Sequence, residues 1–153
     1  MANVIDSIQS ECELKFSIQD LQHAKDIISR IYERGFTQEL EHRELDFVPD
    51  TEDYLCRKAQ LLLRFRGIYG KDNDILLTLK IKKSRDGVKI DDEIQTLFSE
   101  EKRRYEILER INQYLVENGI PQIPEDIYDY DDLEQLKKYI RTLGFVGNRA
   151  LIE

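Results

Sequence analysis

The chain has 153 residues, a length that suits a single domain with one hydrophobic core. Hydrophobic residues make up 41% and charged residues 35% of the sequence, a balance typical of a charged globular protein and unlike that of a disordered or membrane protein. No apolar run approaches the roughly 20 residues of a membrane helix, and residues 1–10 lack the pattern of a secretory signal. We therefore expect a cytoplasmic protein that does not bind a membrane, with Cys12 and Cys56 as reduced thiols.

The charge is unevenly distributed along the chain. The net charge of −8 argues against a general nucleic-acid binder. Between Arg57 and Lys89, however, there are ten Lys or Arg residues and only three Asp residues, so that this segment carries +7 and the remainder −15. A strongly basic segment in an acidic chain favours a local site for an anion. The alternative is a basic surface that is simply solvated.

The first predicted elements are a strand and a helix. In residues 10–16 charged and apolar side chains alternate with a period of two, which is typical of a strand with one solvated face. Its charged side consists of Glu11, Glu13 and Lys15. A helix is predicted over residues 18–32, where apolar residues recur at helical spacing, with Asp20 near its first turn and Gly35 after its end.

The middle of the chain is predicted to be mainly extended. Residues 36–48 form an extended segment that ends at a predicted turn, Pro49–Asp50, and residues 54–59 are a short helical or irregular connection. Three strands follow, the first two of which form a hairpin; they cover residues 61–68, 75–82 and 88–98. The alternation places basic side chains on one face of this hairpin, namely Arg64, Arg66, Lys80 and Lys82.

Two amphipathic helices are predicted in the last third of the chain. The first has Ser99 as its N-cap, acidic residues in its first turn and its end at Gly119. The second covers residues 133–143. An acidic connector, residues 120–132, separates the two helices, and a last strand is predicted to start at Phe145.

The basic face of the predicted hairpin suits a phosphate-rich anion. Three or more cations on neighbouring strands, roughly 5 Å apart, repel one another unless an anion lies between them. Arginine suits bidentate contact with phosphate, and lysine supplies a compact charge. Glu11 and Glu13 beside such cations are suited to a hard metal ion, Mg²⁺ or Mn²⁺. A metal and phosphates held together can polarise a phosphoryl oxygen and orient a water for in-line attack.

The order of these motifs resembles that of the CYTH family, also called triphosphate tunnel metalloenzymes. This family includes class IV adenylyl cyclases, thiamine triphosphatases and inorganic triphosphatases. The matching residues in chain order are Glu11, Glu13 and Lys15, then Arg64 and Arg66, then Thr78, Leu79 and Lys80, and finally Lys89, Asp91 and Glu93. In the last group Lys stands for the family's usual Arg and Asp for its usual Glu.

The resemblance implies an α+β fold in which an antiparallel, eight-stranded β tunnel with packed helices is lined by acidic and basic side chains. It implies that phosphate is bound by Lys15, Arg64, Arg66, Lys80 and Lys89. It implies that Mg²⁺ or Mn²⁺ is held by Glu11, Glu13 and Glu93. The residues expected to carry the catalysis are Glu11, Glu13 and Lys15.

Family members continue past the segment that matches residues 143–145, through strands with further basic residues, an Asp and a closing pair of acids. The expectation is therefore a single CYTH-like domain over residues 1–153 that lacks the C-terminal part of the usual domain. The sequence is then either a fragment or a natural short form whose tunnel is open or is completed by another subunit. An open sheet edge favours pairing with a second copy of the chain as a homodimer.

We expect metal-dependent hydrolysis of a triphosphate, either inorganic triphosphate or a triphosphorylated small molecule. Cyclisation of ATP to cyclic AMP is the alternative within the family. A non-catalytic module that binds polyphosphate or a nucleotide is a second alternative, and an interaction domain whose charges are only solvated is a third. The expected partner is a triphosphate-containing small molecule rather than a nucleic acid or a membrane.

Overall fold

The computed structural model of the protein describes residues 8–10, 17–37 and 43–148. These residues have a mixed α+β architecture with an antiparallel sheet and helices. The chain divides into two units: residues 12–42 form one, and residues 1–11 with 43–153 form the other. No helix in the described ranges is long and apolar enough to cross a membrane.

The described part of the smaller unit contains one helix, α1 (Leu21–Glu33). Its N-cap is Asp20, whose carboxylate accepts a hydrogen bond from the His23 backbone N–H at 2.8 Å. Gly35 follows the helix with a φ of 90°. The predicted helix and both of its end signals are therefore confirmed.

The larger unit contains a five-stranded antiparallel sheet. The strands of this unit are β1 (Ile8–Ser10), β2 (Arg43–Phe47), β3 (Pro49–Asp50), β4 (Leu61–Tyr69), β5 (Asp74–Arg85), β6 (Val88–Leu97) and β7 (Val146–Asn148). Five of them pair in the order β1-β6-β5-β4-β2, while β3 pairs with β7. The predicted hairpin and the strand after it are β4, β5 and β6, with each boundary shifted by a few residues.

The turn between β5 and β6 is a tight Asp-Gly connection. Asp86 and Gly87 both have positive φ, 51° and 76°. A two-residue hairpin turn of this kind needs left-handed backbone at both positions, which Gly adopts freely and Asp tolerates. The turn fixes the register in which Arg85 pairs with Val88 and Lys80 pairs with Glu93.

The hydrophobic core lies on one face of the sheet. Leu63 and Phe65 of β4 and Leu77 and Leu79 of β5 have no exposed surface. Two helices, α3 (Arg104–Glu117) and α4 (Leu133–Thr142), contribute to the same core. Their buried residues are Ile107, Leu108, Ile111, Leu115, Leu133, Leu136 and Ile140. Both helices were predicted, and Gly119 and Gly144 follow them with positive φ.

Two local predictions are wrong. Helix α3 begins at Arg104 rather than directly after Ser99, and residues 101–103 form turns. The reason is that the Ser99 hydroxyl donates to the Asp74 carboxylate at the start of β5, so that Ser99 is tied to the sheet instead of capping a helix. Pro49–Asp50 is not a turn but the short strand β3, because it pairs with β7 from the end of the described chain.

Asp50 organises the loop between β3 and β4. Its buried carboxylate accepts hydrogen bonds from three backbone N–H groups, those of Thr51 at 2.7 Å, Cys56 at 2.8 Å and Arg57 at 3.1 Å. The last two belong to the short helix α2 (Leu55–Lys58), whose first turn has no other partner for them. This carboxylate therefore fixes the path of the chain that leads directly into β4.

Replacing Asp50 by Ala should lower the free energy of unfolding by about 3 kcal/mol, because buried N–H groups lose their acceptor. Urea denaturation followed by circular dichroism measures this change. The neighbouring exposed residue supplies the control: Glu52→Ala should change the free energy of unfolding by less than about 0.5 kcal/mol. Equal effects of the two substitutions would contradict this role of Asp50.

Candidate functional site

The face of the sheet opposite the core carries the charged side chains. We call it the charged face and define it by Glu44, Asp46, Arg64, Arg66, Thr78, Lys80, Glu93 and Gln95. Residues directly opposite one another in an antiparallel pair point to the same side. The register pairs Asp46 with Arg66, and Lys80 with Glu93. The alternation in the sequence therefore correctly predicted that Arg64, Arg66 and Lys80 share one face, and the register adds Glu93 to it.

Arg66 lies between two acids of the edge strand β2. Its Nε and Nη2 donate to the two carboxylate oxygens of Asp46 at 2.6 and 2.9 Å, and its Nη1 lies 2.9 Å from Glu44 Oε2. The hydrogen bond from Arg66 is the main reason why the pKa of Asp46 is held below its usual value. The positive charge of Arg66 and, to a smaller extent, those of Arg64 and Lys80 lower this pKa further.

Lys80 forms an ion pair with Glu93 of the neighbouring strand β6. Its Nζ lies 3.0 Å from Glu93 Oε1, and the two side chains are only 15% and 9% exposed. Taking two charges out of water is costly unless they neutralise each other. Removal of either side chain would therefore leave the other as a nearly buried charge without its partner.

Among the described residues, no acid is aligned with Arg64 across the neighbouring strands. Arg64 is opposite Thr78, which is fully buried, and Thr78 is opposite Gln95, with 3.4 Å between the Thr78 hydroxyl and the Gln95 side-chain oxygen. The pairing of β2 with β4 ends where Phe47 lies opposite Phe65, so that β2 does not extend alongside Arg64. Arg64 Nε is buried and has no hydrogen-bond partner in the part of the chain that the structure describes. This donor on a charged group is free to contact a further acceptor, and unlike the equally unsatisfied Nε of Arg104 it belongs to the charged face.

The structure describes no side chain for four of the predicted site residues. Glu11, Glu13 and Lys15 lie outside the described residues. Lys89 lies in β6 with its Cα opposite Ser84, and its side chain is not among the described atoms. Of the predicted metal ligands only Glu93 is described, and it already contacts Lys80. Within 8–10, 17–37 and 43–148, no three His, Cys, Asp or Glu side chains cluster as a metal site requires. The predicted Mg²⁺ or Mn²⁺ site stays a prediction.

Sequence reasoning missed Glu44 and Asp46 as members of the site. Both lie in the segment that was predicted to be extended, and their spacing of two residues places them on one face. The signal was therefore present in the sequence. It could not be used because nothing in the sequence shows that this segment pairs with β4 beside Arg66.

The chain matches no protein-family model, and no curated protein matches it. The resemblance to the CYTH family therefore rests on the motifs and their order.

Replacing Lys80 by Met should lower the free energy of unfolding by about 3 kcal/mol, because Glu93 is left as an unpaired, nearly buried charge. Replacing both Lys80 and Glu93 by Met should recover most of that loss. Urea denaturation of the two single variants and the double variant gives the coupling between the residues.

The control is the exposed ion pair of Lys83 with Asp92, whose Nζ and Oδ2 atoms are 2.6 Å apart. Lys83 is 56% exposed, so Lys83→Met should have a much smaller effect than Lys80→Met. Additive effects at Lys80 and Glu93 would show that their pairing is not what stabilises this part of the sheet.

Proposed function

We propose that the charged face binds a phosphate-rich anion, and that the protein is a CYTH-type, metal-dependent enzyme that hydrolyses a triphosphate. The observation that carries this proposal is Arg64, whose buried Nε lacks an acceptor among the described residues and which lies between Arg66 and Lys80 on the charged face. A phosphate oxygen is an acceptor of the right charge and geometry for a guanidinium group. In the proposed fold the charged face is one wall of the family's tunnel.

The distribution of charge supports an anion at the centre of the face. The cations of the charged face lie on the adjacent strands β4 and β5, whereas its acids lie on the strands on either side, β2 and β6. An anion above Arg64 would be separated from the acids by the width of a strand, about 4.8 Å. The same arrangement would repel a cationic ligand from the centre. A surface whose charges are only solvated does not require cations and acids to lie on separate strands.

The role proposed for Arg64 follows from its place on the charged face, and the roles of the other residues follow from the resemblance. Arg64 would donate to a phosphate oxygen, and the buried Thr78 hydroxyl beside it would orient that contact. Lys15, Arg66, Lys80 and Lys89 are the further residues proposed to bind phosphate. Mg²⁺ or Mn²⁺, held by Glu11, Glu13 and Glu93, would neutralise charge on the phosphates and lower the pKa of a bound water. Glu11, Glu13 and Lys15 are the proposed catalytic residues.

One observation favours a second candidate, a non-catalytic module that binds polyphosphate or a nucleotide. Glu93 is engaged by Lys80 at 3.0 Å, and a carboxylate in such a pair is a poorer ligand for a metal. If that pair persists when the anion binds, the cations alone would hold the ligand. This candidate predicts the same role for Arg64 without any turnover.

Arg64→Ala should weaken the binding of tripolyphosphate by at least about tenfold, because the central donor to phosphate is lost. Isothermal titration calorimetry without metal measures this at low salt. Arg103→Ala is the control, since it removes the same charge from an exposed position at the start of α3. Equal weakening by both variants would mean that the anion responds to net charge and not to this face.

Hydrolysis is tested by the release of phosphate from tripolyphosphate in the presence of Mg²⁺ or Mn²⁺. We expect turnover that depends on the metal and is abolished in Glu13→Gln, while this variant still binds tripolyphosphate without metal. Binding without turnover would select the non-catalytic module. With ATP as substrate, chromatography separates the products, and cyclic AMP would identify a cyclase.

A further inference from the structure

We infer that Glu44 and Asp46 compete with the anion for Arg66, and that their displacement from its guanidinium sets the affinity of the charged face for anions. This inference rests on the proposed function, because it assumes that the charged face binds a phosphate-rich anion. It assigns a role to two residues of β2 that the motifs of the sequence did not include.

The geometry of Arg66 is that of an occupied anion site. Asp46 takes two nitrogens of the guanidinium, at 2.6 and 2.9 Å, in the side-by-side arrangement that a phosphate also uses. Glu44 takes the third nitrogen at 2.9 Å. Each of the three guanidinium nitrogens of Arg66 therefore contacts a carboxylate. These contacts use three of the five guanidinium N–H groups. Two N–H groups take no part in these contacts, but an anion that binds the Nε and Nη2 side of Arg66 in a bidentate contact must replace Asp46 there.

Arg64 and Arg66 differ in this respect although they share a strand and a face. Same-face neighbours on a strand are about 7 Å apart, so one polyphosphate can reach both side chains. Among the described residues no acid is aligned with Arg64, whereas Arg66 has two on the adjacent strand. We therefore assign Arg64 as the first contact of the anion and Arg66 as a second contact that becomes available only when the acids release it.

The exposure of the pairs makes this exchange feasible at Arg66 and not at Lys80. The side chains of Arg66, Glu44 and Asp46 are 23%, 36% and 39% exposed, so water can solvate a carboxylate that is displaced. Lys80 and Glu93 are much less exposed, at 15% and 9%, and a displaced Glu93 would stay poorly solvated. Ion pairs with solvent access contribute little to stability and exchange readily.

The test uses Glu44→Gln with Asp46→Asn, which remove both charges, keep the shape of the side chains and leave one acceptor oxygen on each. This neutralised variant should bind tripolyphosphate about fivefold more tightly than the wild type, without metal and at low salt. Each single substitution should give part of the gain. The pair Glu106→Gln with Glu109→Gln on the exposed side of α3 is the control for net charge and should change the affinity by less than about twofold.

A third variant shows whether the gain depends on Arg66. In a protein that carries Arg66→Ala, the two neutralising substitutions should no longer tighten the binding of tripolyphosphate, since the guanidinium that they would release is no longer present. An unchanged gain would mean that the acids act only through long-range repulsion and would overturn the inference. Thermal unfolding followed by circular dichroism checks that each variant is folded.

The failures of the inference and of the proposed function are distinguishable. If the wild type binds tripolyphosphate and Arg64→Ala loses it, but the neutralised variant binds no more tightly, then the acids orient Arg66 instead of competing for it. The inference is then wrong, and the proposed function stands. If neither the wild type nor the neutralised variant binds, both are wrong.

Discussion

The register of β4, β5 and β6 is the constraint on which the larger unit depends. Because side chains alternate along each strand, one register places Leu63, Phe65, Leu77 and Leu79 in the core and puts the charged residues on the opposite face. A shift of one residue would bury the charges among the helices. The burial of the apolar face therefore also holds the charged face together, and the short turn through Gly87 helps to fix this register.

The charged face has three acids and three cations, so its net charge is zero, but the charges are not paired one to one. Arg66 is neutralised by β2, and Lys80 by Glu93 of β6, so that like charges on the inner strands do not oppose folding. Arg64 is the exception, and its buried Nε marks where the pairing is incomplete. The ion pairs of Arg66 and Lys80 thus stabilise the fold, whereas the neighbouring Arg64 is the cation that is proposed to contact the ligand first.

Elements with strong periodicity could be predicted from the sequence, and so could the face on which Arg64 and Lys80 lie. Features that depend on distant pairing could not. Pro49–Asp50 has the composition of a turn but is held as a strand by β7, and Ser99 has the chemistry of an N-cap but bonds to Asp74. The acids of β2 were missed for the same reason, since a partner strand is a property of the fold and not of local sequence. The predicted sites at Glu11 and Glu13 lie outside the described residues.

The most direct test of the account is the NMR signal of the Arg64 Nε–H group during titration with tripolyphosphate. Arg104 provides an internal reference, because its Nε is also buried without a partner among the described residues, but its guanidinium donates to the Phe98 carbonyl, away from the charged face. We expect the Arg64 signal to shift and saturate while that of Arg104 stays in place. A saturable shift at Arg104 with none at Arg64 would contradict an anion site on the charged face.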